Sequence, residues 1–465
     1  MVNKTNVQAA PTTISIPNLR KDFKDRVIAP GDTDYDKART VFYGGVDRHP
    51  AVIIKVADAN DVSRVINLAR ESGLELAVRS GGHSSVGHSV TEGGIVLDLS
   101  NMKDLQIDVE SRTAWAEAGL TASEFTTAAA AHGLGVGFGD TGSVGIGGLT
   151  LGGGVGYLVR KYGLTVDSLL AAEVVTADGQ ILQVDEKNHP DLFWAIRGGG
   201  GNFGVAIRFK FRLYQVPNVV GGMLILPASP ETIAGFIAES EAAPEELSGI
   251  GNVMFAPPMP FLPQEAHGKL IIMAFLVYAG ETEAGLRALA PFRALATPLA
   301  DMLKRMSLPE IYPPEEGEYH PVAAARTMFV DKIDRSVAEM ILDRLQSSSA
   351  SMAVAQLRVL GGSMARVPVD ATAFAHRNSR IMVNIAALYE NPEEKAMHEA
   401  WVADFASALL QSDQGAYVNF LGDEGEARIR AAYPGSTWDR LVAVKARYDP
   451  TNLFRLNQNI VPAGA

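Results

Sequence analysis

The 465 residues contain no cysteine, which excludes disulfides, thiolate metal sites and cysteine nucleophiles together. Nor does the chain hold an apolar run approaching the roughly eighteen residues of a membrane-spanning helix, so no membrane partner is expected. Positive charge is scarce. With 41 Lys and Arg against 53 Asp and Glu, the formal net charge is −12, the opposite of the basic face that nucleic acid requires. The nine histidines show no H-E-x-x-H or comparable ligand spacing, so no metal is expected. The first twenty residues lack the apolar core of a secretory signal and read as a polar arm followed by a short strand, which points to a cytoplasmic protein.

Glycine, by contrast, is abundant and concentrated. Gly133 to Gly156 holds twelve glycines in twenty-four residues, and Arg79-Ser80-Gly81-Gly82-His83-Ser84-Ser85 precedes it. Ordered glycine costs backbone entropy, so such density implies close backbone approach to a large anionic ligand whose pyrophosphate accepts main-chain N–H groups. A flexible linker would lack the interleaved Val144, Ile146, Leu149, Leu151, Val155 and Tyr157.

The remaining chain predicts a mixed α and β protein. Ala51 to Val56 and Leu76 to Arg79 read as buried strands around a helix capped by Asn60 and stopped by Gly73. Thr121 and Glu124 form a capping box opening a helix from Ala122 to His132. Leu170 to Asp185 reads as a hairpin turning at Asp178-Gly179, and Arg197 to Gly204 is a third glycine cluster before the strand Val205 to Leu213. Beyond Pro217 the clusters vanish, and longer strands alternate with helices opened by Ser229-Pro230 and Asn391-Pro392. This predicts an antiparallel sheet backed by helices on one face. The domains expected are 1–216 (lobes about 1–105 and 106–216), 217–414, and a segment 415–465 returning to the first. A single dinucleotide-binding G-x-G-x-x-G fingerprint does not fit Gly145-Ile146-Gly147-Gly148 and Gly152 to Gly156; separated glycine loops suit an extended ligand.

The motifs R-S-G-G-H-S (79–84), G-G-L-T-L-G-G-G-V-G-Y-L-V-R-K-Y-G-L (147–164), D-L-F-W-A-I-R-G-G-G (191–200) and Y-D-P-T-N-L-F (448–454), in this order, resemble those of the berberine-bridge-enzyme-like FAD-linked oxidases of the vanillyl-alcohol oxidase superfamily. The resemblance implies an α+β fold: a two-lobed PCMH-type FAD-binding domain built from both chain ends, plus a substrate domain whose antiparallel sheet covers the flavin. It implies covalent FAD through His83, oxidation of a small-molecule CH–OH or CH–NH group of a carbohydrate or secondary metabolite, and O2 as acceptor with hydrogen peroxide as product. A same-fold dehydrogenase and a flavin-binding protein without turnover remain open, as does a monomer or homodimer. Many relatives add a cysteine tether; here the corresponding neighbourhood is Asp140-Thr141-Gly142-Ser143, so the flavin has at most one bond.

The resemblance carries the cofactor-binding role onto Arg79, Ser80, Gly81, Gly82, His83, Ser84, His88, Gly119, Gly142, Ser143, Gly145, Gly147, Gly148, Thr150, Gly152, Gly153, Gly154, Gly156, Tyr157, Gly204, Val205, Asn419, Asn457 and Asn459. The resemblance also places an active-site tyrosine at Tyr417, in Y-x-N, either as the base, which at an ordinary pKa near 10 needs a cation or a hydrogen-bond network to lower it, or as a residue that only shapes the pocket. From strand alternation, Gln356 and Arg358 share one face, and Arg380, Met382 and Asn384 share another; these are expected to line the substrate cavity, Gln356 and Arg358 as catalytic residues. The apolar, proline-rich Val253 to Pro263 forms either an entrance rim or packing for its own domain.

Overall fold

The computed structural model describes residues 14–312 and 319–464; the expected N-terminal arm lies largely outside them. Where a short strand was expected after the arm, the chain forms the helix Ile16–Phe23. Pro17 suits a first helical turn, and Leu19 and Phe23, one turn apart, are both buried.

The first lobe is a small sheet in which Val52–Lys55 and Leu76–Arg79 flank Ile95–Asp98 in parallel, with Val27–Ile28 antiparallel at one edge. Val52, Ile53, Ile54, Leu76, Ala77, Ile95, Val96 and Leu97 of the three parallel strands are apolar and buried, as strands covered on both faces require. The covering helix Ala59–Ser72 begins earlier than Asn60 predicted. Asp58, in extended conformation, is the cap, its side chain accepting from the Asp61 amide, and Gly73 at φ +69° ends the helix.

The second lobe is a five-stranded antiparallel sheet in the order Leu105–Asp108, Thr113–Glu117, Val205–Arg212, Leu169–Val175, Ile181–Val184. The hairpin joining the last two turns at Asp178 and Gly179, the latter at φ +82°. The capping box of Thr121 and Glu124 opens the helix Ala122–Ala130, which stops short of His132. Phe125 from this helix meets Phe138 and Phe211 edge-on at 5.0 and 5.8 Å.

After Val216 the chain enters a large antiparallel sheet, where Val219–Pro227, Leu270–Tyr278, Leu247–Phe255, Met352–Val359, Ile381–Leu388 and Ala323–Val330 lie side by side. Alternation sorts its faces. Ala353, Ala355, Leu357 and Val359 pack with Phe236, Phe292, Ile341 and Phe405 of the helices Pro230–Ala242, Thr282–Ala294, Arg335–Gln346 and Lys395–Leu409. The opposite face meets the glycine-rich stretch, with Phe329 and Met382 packed beside Val155, Val159 and Leu164. Buried arginines clasp the two units. Arg377 holds Asp167 through two 2.8 Å bonds, and Arg160 donates to the carbonyls of Ser240, Ala243 and Leu247.

The C-terminal tail docks on the third glycine cluster. Lys445 Nζ, at the end of the helix Ser436–Tyr448, donates to Asp449 at 2.7 Å, to Asn202 O at 2.8 Å and to Phe454 O at 3.1 Å. Asp449 accepts from the amides of Leu453 and Phe454, and Asn202 Oδ1 from the amide of Ile460. The Y-D-P-T-N-L-F run is thus a buried ion pair wrapped by its own backbone.

Candidate active site

The run Ser80-Gly81-Gly82 leaves the C-terminal end of Leu76–Arg79 and abuts Gly145 and Gly147. A Cβ on Gly81 would lie 2.2 Å from Gly145 N, and one on Gly145 2.2 Å from Gly81 N. Only two glycines let these backbones touch. Ser80 Oγ stitches the junction, donating to Ala118 O at 2.6 Å and accepting from Gly147 N at 3.3 Å.

The same test gives most of the glycines expected at the cofactor a different immediate task. A Cβ would lie 2.1 Å from Leu99 O at Gly119, 1.9 Å from Asn419 Oδ1 at Gly152, 2.0 Å from Thr165 Oγ1 at Gly154 and 1.7 Å from Phe138 O at Gly156. Gly142 faces Ser123 and Tyr312, Gly147 faces Ser80, Gly153 faces Phe374, and Gly204 faces Val174 and Val175. These glycines bring chain against chain. Gly148 differs: it is exposed, with nothing among the described residues within 4 Å of its Cβ position, so here the backbone is open to a ligand.

His83 follows Gly82, whose φ of +73° makes the turn. Its half-buried ring stacks on Phe42 at 4.2 Å, and Nε2 lies 3.0 Å from Ser143 Oγ. Ser84 Oγ accepts from the His88 amide at 3.2 Å. Burial, helped by nearby Arg48, pushes the His88 imidazole down to about 4. Arg48 itself holds this loop through the carbonyls of Val86, Gly87 and Val90.

Arg79, expected at the cofactor, packs its side chain beside Gly82, where a Cβ would lie 3.6 Å from Arg79 Cδ. It is the register partner of Asp98, and its guanidinium binds that carboxylate at 2.8 Å in the buried first lobe. Val205 likewise is a buried strand residue paired with Val175. Among the described residues, Thr150 Oγ1 and Asn459 Oδ1 are buried with no hydrogen-bond partner, and the Asn457 side chain donates one long bond, 3.4 Å to Phe454 O.

Tyr417 is buried against the glycine stretch. Its phenolic oxygen accepts from the amides of Gly154 (3.0 Å) and Val155 (3.2 Å) and from Asn419 Nδ2 (2.9 Å), while Asn419 also donates to Leu149 O. Burial nonetheless pushes the phenol up; the donors and Arg358 oppose this without reversing it. Tyr417 thus anchors residues 149–155 through its phenolic oxygen and Asn419. Burial likewise raises the Tyr157 phenol, with the Asp140 charge second.

Across from this wall, Arg358 emerges from the sheet, only 3% exposed. It pairs with Asp140, donates to Val155 O at 3.4 Å and to Gln356 Oε1 at 2.6 Å, and stands 5.2 Å from the Phe420 ring. Gln356 Nε2 donates onward to Asn252 Oδ1 at 3.0 Å. Arg380, by contrast, lies outside the site: it precedes the strand Ile381–Leu388 and turns its exposed guanidinium to Glu241. Sequence reasoning missed Asn252 and Asp140. Asn252 carries the same signal as Gln356, a polar residue at period two in an apolar strand; Asp140 carries none, because its partner lies 218 residues away.

Comparison with known proteins adds the chemistry. The family profile described as "FAD binding domain" matches residues 50–185, and "Berberine and berberine like" matches residues 416–461. An FAD-linked oxidoreductase of Dictyostelium discoideum is 30% identical over 89% of each chain. (R)-6-hydroxynicotine oxidase of Paenarthrobacter nicotinovorans is 29% identical over 94% of this chain and 97% of its own. The crystal structure of 6-hydroxy-D-nicotine oxidase from Arthrobacter nicotinovorans superposes with a TM-score of 0.84 at 25% identity, covering 93% of this chain and 97% of that one.

Proposed function

Because the chain belongs to the berberine-bridge-enzyme-like family of FAD-linked oxidoreductases, we propose that it is an oxidase carrying FAD on a single covalent bond to His83. It acts on a CH–OH or CH–NH group of a carbohydrate or secondary metabolite. The residues fit the cofactor: the open backbone at Gly148 and, among the described residues, the unpartnered buried polar atoms of Thr150 and Asn459. Asn457 and the docked tail stand beside Gly201 of the third cluster. Bound FAD would supply the two-electron redox chemistry, with dioxygen as the proposed acceptor and hydrogen peroxide as the product.

The observation that carries the tether is the imidazole of His83, fixed between Phe42 and Ser143 on a glycine turn. A ring already held in place loses little freedom when it bonds to the flavin 8α-methyl carbon. The chain's other residues orient the substrate. Tyr417 and Asn419 hold the 149–155 backbone in position. Arg358, Gln356 and Asn252 present fixed hydrogen-bonding groups opposite it, and the tight packing of Val155, Phe329 and Met382 excludes water.

Acid precipitation of the purified protein tests the tether. Yellow colour should remain with the polypeptide and should leave it in His83→Ala; free FAD in the wild-type supernatant refutes the bond. Peroxide formation on turnover tests the acceptor. A reduced flavin that air reoxidises slowly and an artificial quinone rapidly assigns a dehydrogenase instead.

A further inference from the structure

The sheet face opposite Tyr417 is graded in polarity. Strand register places Asn252, Gln356, Asn384 and Thr327 on one rung across four neighbouring strands. Hydrogen bonds run one way along it, from Arg358 to Gln356 Oε1 and from Gln356 Nε2 to Asn252 Oδ1. At the other end, Asn384 Oδ1 and Thr327 Oγ1 are buried without a partner among the described residues. The next rung outward carries Met254, Val354, Ala386 and Ala325. Val354 and half-buried Met352 join Met254 in an apolar cluster on this face. The charge at the inner end, Arg358, is already neutralised by Asp140.

We propose that this wall selects an uncharged alcohol carried on an apolar ring system, a narrowing that rests on the oxidase reading above. A hydroxyl both donates and accepts, so it suits carboxamide and hydroxyl partners whose own capacity is unfilled. A cationic amine would find its carboxylate already committed to Arg358, leaving a buried charge uncompensated. An oligosaccharide would press hydroxyls against Val354, Ala386 and the methionines and leave them unpaired. Ala325 and Ala386 are the smallest side chains on the outer rung, and methionine side chains adapt to a ring's outline.

Anaerobic reduction of the holoenzyme, followed by flavin absorbance, tests this with three panels: benzyl-type and cyclic terpenoid alcohols, mono- and oligosaccharides, and secondary amines. Ring alcohols should half-saturate at concentrations at least about tenfold below any sugar or amine, the scale of discrimination an apolar pocket delivers. A sugar or amine that matches or surpasses them overturns the proposal and leaves the oxidase reading standing. If dithionite bleaches the flavin but no panel does, the oxidase reading falls and the proposal falls with it.

Val354→Asn should raise half-saturation for ring alcohols roughly tenfold while the limiting reduction rate stays within about twofold. A tertiary ring alcohol, which has no carbinol hydrogen to give up, reports binding alone through the flavin spectrum; Val354→Asn should weaken it by the same factor. An unchanged spectral titration in a variant with wild-type melting overturns the assignment of this wall.

Discussion

Asp449→Asn isolates the contact that keeps the C-terminal tail on the glycine cluster. Lys445 and Asp449 are both fully buried, and burial already lowers the Lys445 ammonium while Asp449 opposes it. The amide side chain retains an acceptor for Leu453 or Phe454 but leaves Lys445 without a counter-charge. Breaking a buried pair in this way costs about 3–5 kcal/mol. An unfolding entropy of about 2.1 cal/mol/K per residue sums to roughly 1 kcal/mol/K over a chain of this length. The loss therefore lowers Tm by about 3–5 °C if the chain melts as one unit, and by more if the tail's unit melts first. Thermal unfolding followed in parallel by circular dichroism and flavin fluorescence reads both cases. The fluorescence transition should move by at least as much as the ellipticity, because the tail carries Asn457 and Asn459. Lys445→Met in the same background removes the stranded charge and should recover part of the loss. Unchanged melting in Asp449→Asn, with Lys445→Met alone equally harmless, would refute the reasoning.

Gly156→Ala should fail to accumulate as folded protein, since its Cβ would sit 1.7 Å from Phe138 O, whereas Gly148→Ala, with open space around it, should melt like wild type yet perturb the flavin spectrum. Tyr417→Phe removes the acceptor for two backbone amides and leaves them buried. An anchoring role predicts a Tm loss with flavin reduction slowed less than tenfold, and a slowing of tenfold or more, about 1.4 kcal/mol, would restore the role of base. His88 is depressed to about 4 in the folded protein against an ordinary 6.5. The unfolded chain thus binds more protons between those values, and stability falls as pH drops from about 6.5 to 4. His88→Gln should flatten that segment of the pH–stability curve, and an unaltered curve assigns the slope to other groups.

The elements themselves were largely legible in the sequence, because they follow from local chemistry. The capping box at Thr121, the Ser229-Pro230 start and the period-two apolar strands each confine their cause to a few neighbouring residues. Local reading failed where two causes competed. Asp58 displaced Asn60 as cap because its extended backbone aims the carboxylate at Asp61 N, and residues 16–23 became a helix because Leu19 and Phe23 share a face.

By itself, then, the sequence determined the order and type of most elements, the mixed α+β character and the places where the backbone had to be bare. Tertiary structure decided what that bareness serves. Gly81 faces Gly145 across 64 positions, Arg358 meets Asp140 across 218 and Asn202 receives Ile460 across 258. A residue's neighbours along the chain carry no record of which distant backbone or charge it will meet. Only folding brings those partners within hydrogen-bond range, where burial makes an unmet donor or charge costly enough to select one arrangement.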